Sequence, residues 1–293
     1  MTAALDRRGF MAGLATLSLM PRGAAASVPQ RIAVLDWALL ETILALGVTP
    51  VAAVELVLFR RLAVEPAVPQ SVIDLGLRGS FNLELLFSVH PDLIYISPFN
   101  AWAEPQIARI APVRSFPVFG GGRRPIDLME AATLGMGEDL ERTEEAAAYI
   151  AGTKALIAAG RQALAAHARR PVYLVNLGDA RHVRVFGPDS LFGSVMADLG
   201  FENAFTGDTR YAASAPIGIE AMAERPDAII VVVGPVPPDA AAALPHSALW
   251  KAIPAVAAGR AHILPPMNAF GGLPTARRFA RLFDAALSGS TDG

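Results

Sequence analysis

The chain has 293 residues, of which 53% are hydrophobic and 18% charged, with a net charge of −2 and no cysteine. That length and apolar content exclude disorder and allow two modest cores, and the near-neutral balance without a long basic run gives no footprint for nucleic acid or an anionic membrane. Without cysteine there are no disulfides, no thiolate metal sites, no cysteine nucleophile and no thiol for a lipid anchor.

The first 26 residues read as an address. Paired Arg7 and Arg8, Phe10, a short apolar stretch, a proline and the small residues ending at Ala26 resemble a twin-arginine export signal, although Asp6 stands where Ser or Thr is usual. Cleavage after Ala26 would release the mature protein into the periplasm. An amphipathic N-terminal helix is the alternative reading. Beyond this segment the apolar runs are cut by proline, glycine or charge before they reach a membrane-spanning length.

From there RIAVLDWALLETILALGVTPVAAV (31–54) predicts strand, turn at Asp36 and Trp37, apolar helix, and a second strand after Gly47. Residues 55–81 read as irregular, ending in a strand and turn that deliver Arg78. Helical periodicity then runs from Pro125 to about His167 without a strand signal, so part of it is expected to be one long helix. Strands resume at PVYLVNL (171–177), followed by GPDS, which can cap the helix beginning SLFG. The strand AHILP and a terminal helix from Pro274 close the chain. The expected fold is α/β: two Rossmann-like lobes, 27–138 and 169–293, joined by a backbone helix over 139–168. A helix packed at both ends resists bending, so the cleft between the lobes should be shallow and change little on binding.

One phrase occurs twice. NLELLFSVHPDLIYIS (82–97) and GIEAMAERPDAIIVVV (218–233) each open a short helix with an acidic residue, Glu84 or Glu220, then carry Pro-Asp and a β-branched apolar run. Proline ends the helix, and a run apolar on both faces suits a buried parallel strand. Pro-Asp before a strand is common in α/β proteins, so chance similarity is the competing reading.

Enzyme signatures are missing. There is no phosphate loop, dinucleotide fingerprint or nucleophile elbow, and Phe119 with the three glycines after it reads as a turn. The five histidines are scattered, without the pairing a helix-borne metal site would show. An enzyme is not expected, nor a metal of the protein's own.

The order of elements, with VIDLGLRGSFNLELL, ARIAP, VFGPDSLF and ALW…IPAVAAGR, resembles the class III substrate-binding proteins of ABC importers for iron siderophores, haem and cobalamin, its ferric-hydroxamate-binding members above all. The resemblance implies a periplasmic, monomeric carrier that takes iron(III) already chelated in a siderophore and passes it to permease subunits in the inner membrane. Haem or cobalamin is the alternative cargo. It also implies that Arg78 reaches the iron-binding oxygens, as a planar fork of donors can, and that Trp37 lines the pocket. Where the family has a ligand-bonding tyrosine this chain has Asn100, with Trp102 nearby. Other pocket aromatics fall on Leu62, Ala212 and Asn268, and Tyr211 and Phe270 stand close enough to replace the last two. Glu84 and Glu220 match the acidic residues that meet permease arginines; the alternative is that each complements its helix dipole.

Overall fold

A computed structural model describes residues 28–120, 122–207, 209 and 214–289. The expected export signal, Tyr211 and Ala212 lie outside the described residues.

In the N-terminal half the strands are β1 (Ile32–Val34), β2 (Ala52–Ala53), β3 (Ile73–Asp74), the hairpin β4 (Gly76–Leu77) and β5 (Ser80–Phe81), β6 (Leu93–Ile96) and β7 (Val113–Ser115). In the C-terminal half they are β8 (Val172–Leu177), β9 (His182–Phe186), β10 (Ser214–Gly218), β11 (Ile229–Gly234) and β12 (Ala261–Pro266). The first sheet has the order β3-β2-β1-β6-β7, all parallel. The second, β10-β9-β8-β11-β12, is parallel from β8 to β12, while β9 runs antiparallel to both its neighbours.

The repeated phrase is therefore architectural. Its strands are β6 and β11, each fourth in its sheet and buried along its whole length, as apolar runs between helical layers should be. The two copies differ before the strand: Glu84 lies on an α-helix, Leu83–Ser88, but Glu220 lies on a 3-10 segment, Ile219–Glu224.

Between the sheets the helical stretch is two helices, Pro125–Asp139 and Thr143–Ala163. The chain reverses at Glu141, in a left-handed conformation with φ 54°. Gly137 makes the close return possible, since a Cβ there would sit 2.6 Å from the Cβ of Ala146. The Ala-rich periodicity passes across this turn unbroken, which is why the sequence reads as continuous. Residues 55–81 are also more regular than expected, with a helix at Leu56–Leu62 and the β4–β5 hairpin.

The C-terminal helix, Leu273–Ser288, supplies a second tie. It packs on the Trp37–Ala45 helix of the N-terminal half and on the Thr143–Ala163 helix. One continuous apolar core joins the first sheet, these helices and one face of the second sheet, while a smaller core covers the opposite face of the second sheet. Opening the lobes widely would expose that shared core to water, which keeps the cleft shallow.

Candidate functional site

In open α/β sheets ligands bind beyond the carboxyl ends of the parallel strands, and a cleft of about 420 Å3 lies there, past β1 and β6. Its described walls are Leu35, Asp36, Trp37, Arg78, Gly79, Phe99, Asn100, Trp102, Phe119 and Phe270.

Asp36 follows β1 and caps the Trp37–Ala45 helix. One carboxylate oxygen accepts the N–H groups of Ala38 and Leu39 at 2.8 and 3.3 Å, and the other accepts the hydroxyl of Ser97, just past β6, at 2.7 Å. The same side chain thus caps a helix and clips two neighbouring strands. Burial pushes its carboxyl up, against these hydrogen bonds and the nearby charge of Arg78.

Arg78 stands in the turn of the β4–β5 hairpin. Its guanidinium lies 3.8 Å from the centroid of the Trp37 ring, and its Nε donates to Glu55 at 2.6 Å. Stacking and ion pair together fix the plane of the fork. Its terminal nitrogens have no protein partner among the described residues. Trp37 is 2% exposed, donates its Nε1 hydrogen to the Val54 carbonyl at 3.0 Å and meets Phe59 edge-on. Trp37 therefore lines the cleft with only a small exposed edge, and the face of its ring carries Arg78.

Asn100 is 4% exposed, and its Oδ1 has no hydrogen-bond partner. A buried polar atom left unpaired costs about 1–3 kcal/mol, and this one belongs to a residue of the cleft wall. Around it the exposed rings of Phe99 and Trp102 continue the wall, and Phe119 meets Phe270 edge-on at 5.5 Å across the two halves. Five side chains that carry this arrangement escaped the sequence: Asp36 as a site residue, Glu55, Ser97, Phe99 and Phe119. A strand followed by Asp was a usable signal for Asp36; for Glu55, 23 residues from Arg78, there was none.

Of the described positions where the family's pocket aromatics fall, Leu62 and Asn268 are not among the residues of this wall. Leu62 is half-buried against the core. Asn268 is 3% exposed and gives its amide to Glu41 at 3.1 Å instead of to the cleft. Its short side chain follows β12 directly and is caught at the joint between the halves. Burial pushes Glu41 up to about 7, opposed by the hydrogen bonds of Asn268, Gly272 and Thr275. Because that value is raised above the ordinary 4.5, the stability linked to this group is full below about 4.5 and is lost as pH rises through about 7. Arg278 and Tyr149 are the titratable groups that feel its charge, and Arg278 also faces Glu65. The unfolding midpoint of the unliganded protein, followed by circular dichroism, should therefore drop by several degrees from about pH 5 to about pH 8, less so in Glu41→Gln. An identical slope in the variant would exclude Glu41 as its source.

Glu84 and Glu220 are exposed, on different halves, and neither pairs with a cation among the described residues. Glu220 borders a separate depression with Arg181, His182 and His246. Among the described residues no group of three His, Asp or Glu could hold a metal ion, and no helix is long and apolar enough to cross a membrane.

The family model described as "Periplasmic binding protein" matches residues 32–267. The iron(3+)-hydroxamate-binding protein FhuD of Escherichia coli (strain K12) is 32% identical over 289 residues, covering 97% of each chain. Among solved structures, the siderophore-binding protein FhuD of Vibrio cholerae with bound Fe3+-Desferal superposes with a TM-score of 0.83 at 24% identity, covering 88% of this chain and 97% of that one. The catecholate-siderophore-binding protein VctP of the same organism gives 0.69 at 20% identity, covering 89% of this chain and 94% of that one.

Proposed function

The chain belongs to the periplasmic binding protein family, and is thus a binding protein and not an enzyme; from that premise we propose that it captures a ferric hydroxamate siderophore for an ABC importer. The charge of the cleft carries this reading. One guanidinium, Arg78, faces the carboxylates of Glu55 and Asp36, and the remaining described wall is aromatic or neutral. Three hydroxamate monoanions neutralise a ferric ion, whereas three catecholate dianions leave the complex a trianion. A site with so little net positive charge suits the neutral complex, and the free ends of the Arg78 fork suit its polarised oxygens. Asn100 supplies a second polar contact, and Phe99, Trp102, Phe119 and Phe270 pack against the carbon linkers. Tyr211 belongs to the same ligand-binding set in this reading. Iron enters as cargo within the siderophore.

Residues 1–26 serve as a twin-arginine export signal, 27–138 and 169–293 form the lobes around 139–168, and Glu84 and Glu220 dock on the permease. The test is a fluorescence titration of the purified mature chain with ferric desferrioxamine B, a ferric tris-catecholate, haem and cobalamin, in which Trp102, exposed at the cleft, reports occupancy. Saturable quenching by the hydroxamate with the tightest affinity is expected. Tighter binding of the trianion, haem or cobalamin would overturn the assignment.

A further inference from the structure

Capture as described above makes no use of Glu41, yet this fully buried carboxylate is the most heavily bonded acidic group at the joint between the halves. One oxygen accepts the backbone N–H groups of Gly272 and Thr275, at 2.8 and 3.2 Å; the other accepts the Thr275 hydroxyl at 2.9 Å and the Asn268 amide at 3.1 Å. All four donors belong to the segment that leads from β12 into the C-terminal helix. The remaining end of Asn268, its Oδ1, accepts the N–H of Phe270 at 3.1 Å. Phe270 is the one described cleft residue from the C-terminal half.

Two glycines permit the approach. A Cβ at Gly271 would lie 2.2 Å from the Thr275 hydroxyl and 2.7 Å from Glu41, and one at Gly272 would lie 2.8 Å from the Ala38 carbonyl. The helix that carries Glu41 begins at Asp36 and Trp37, in the opposite wall of the cleft. A single rigid helix therefore presents the Asp36–Trp37–Arg78 wall at its start and grips the Phe270 segment one turn later.

We propose that Glu41 is a positioning residue for ligand binding: through Asn268 it holds Phe270 against Phe119, setting the spacing of the two cleft walls without touching the ligand. The inference rests on the reading of this cleft as the siderophore site. Its sequence DWALLE lies at the helix that bears Trp37, but the partners of Glu41 are 227 to 234 residues away. In Glu41→Gln one of the two oxygens becomes an N–H2 group that confronts donors, so the relay to Phe270 is broken at nearly constant volume.

A purely structural role would lower stability and leave Phe270 energetically independent. The deciding measurement is a double-mutant cycle on the mature chain with ferric desferrioxamine B. Glu41→Gln and Phe270→Ala should each weaken binding by about tenfold, and the double variant should bind no more weakly than Phe270→Ala alone. Unchanged affinity in Glu41→Gln, or losses that multiply in the double variant, would overturn the proposal. Should Glu41→Gln not fold, Asn268→Ala and its combination with Phe270→Ala pass through the same two outcomes, because only the relay is cut. If the wild-type chain binds no ferric hydroxamate, the cargo assignment fails separately, and amide exchange decides the positioning role without ligand. Faster exchange over 268–275 in the unliganded variant, with the rest of the C-terminal helix unchanged, supports it; equal exchange overturns it.

Discussion

Arg78→Ala is expected to weaken binding of ferric desferrioxamine B by roughly ten- to a hundredfold, the range for losing a charged hydrogen bond in a partly shielded site. The guanidinium is not a free arm whose removal would cost little: Trp37 beneath it and Glu55 at its Nε hold it in one plane, so its donors meet the ligand without further loss of side-chain entropy. Part of the effect of alanine is indirect. The substitution uncovers Trp37 and leaves Glu55 without its cation, which adds negative potential to the cleft. Arg78→Lys separates the contributions, since it keeps the charge but lacks the fork, and it should fall between wild type and alanine. Fluorescence titration gives the affinities and calorimetric unfolding the stability. Wild-type affinity in a folded Arg78→Ala protein would remove Arg78 from the site.

Reversal of both acidic residues of the repeated phrase, Glu84→Lys with Glu220→Lys, is expected to abolish most siderophore uptake in cells while leaving affinity in solution unchanged. The two side chains are exposed and lie outside the described wall of the cleft. If the two glutamates dock on permease arginines as proposed, lysines there would set like charges against them, and such contacts act mainly on encounter and register. Each single reversal should be milder, because the other half can still steer the approach. In reconstituted vesicles the defect should shrink as salt rises, as screening requires of exposed charges. Uptake at the wild-type rate by the double variant would leave the two glutamates with no role in docking.

Much of the fold was legible because it is written in local chemistry. Pro-Asp before an apolar β-branched run marked β6 and β11, and their duplication announced two sheets of related order, since strands buried on both faces leave a continuous apolar signature. The break at Glu141 was not legible, for alanine-rich periodicity is indifferent to a reversal that depends on Gly137 meeting Ala146. Nor was the second tie between the halves, because the amphipathic pattern of the terminal helix shows that it packs but not against what.

The candidate site divides in the same way. By itself the sequence determined an α/β chain with an arginine in a turn, an aspartate in the turn before the first helix, and two matching acidic positions, each a consequence of residue type and near neighbours. Only the tertiary structure decided that Arg78 rests on Trp37 and is held by Glu55, that Asn100 is buried with an unpaired oxygen, and that Asn268 turns to Glu41 and away from the cleft. Those outcomes are set by desolvation and by partners up to 227 residues apart. A polar side chain removed from water takes the partner that the packing places beside it, and its neighbours in sequence do not specify which one that will be.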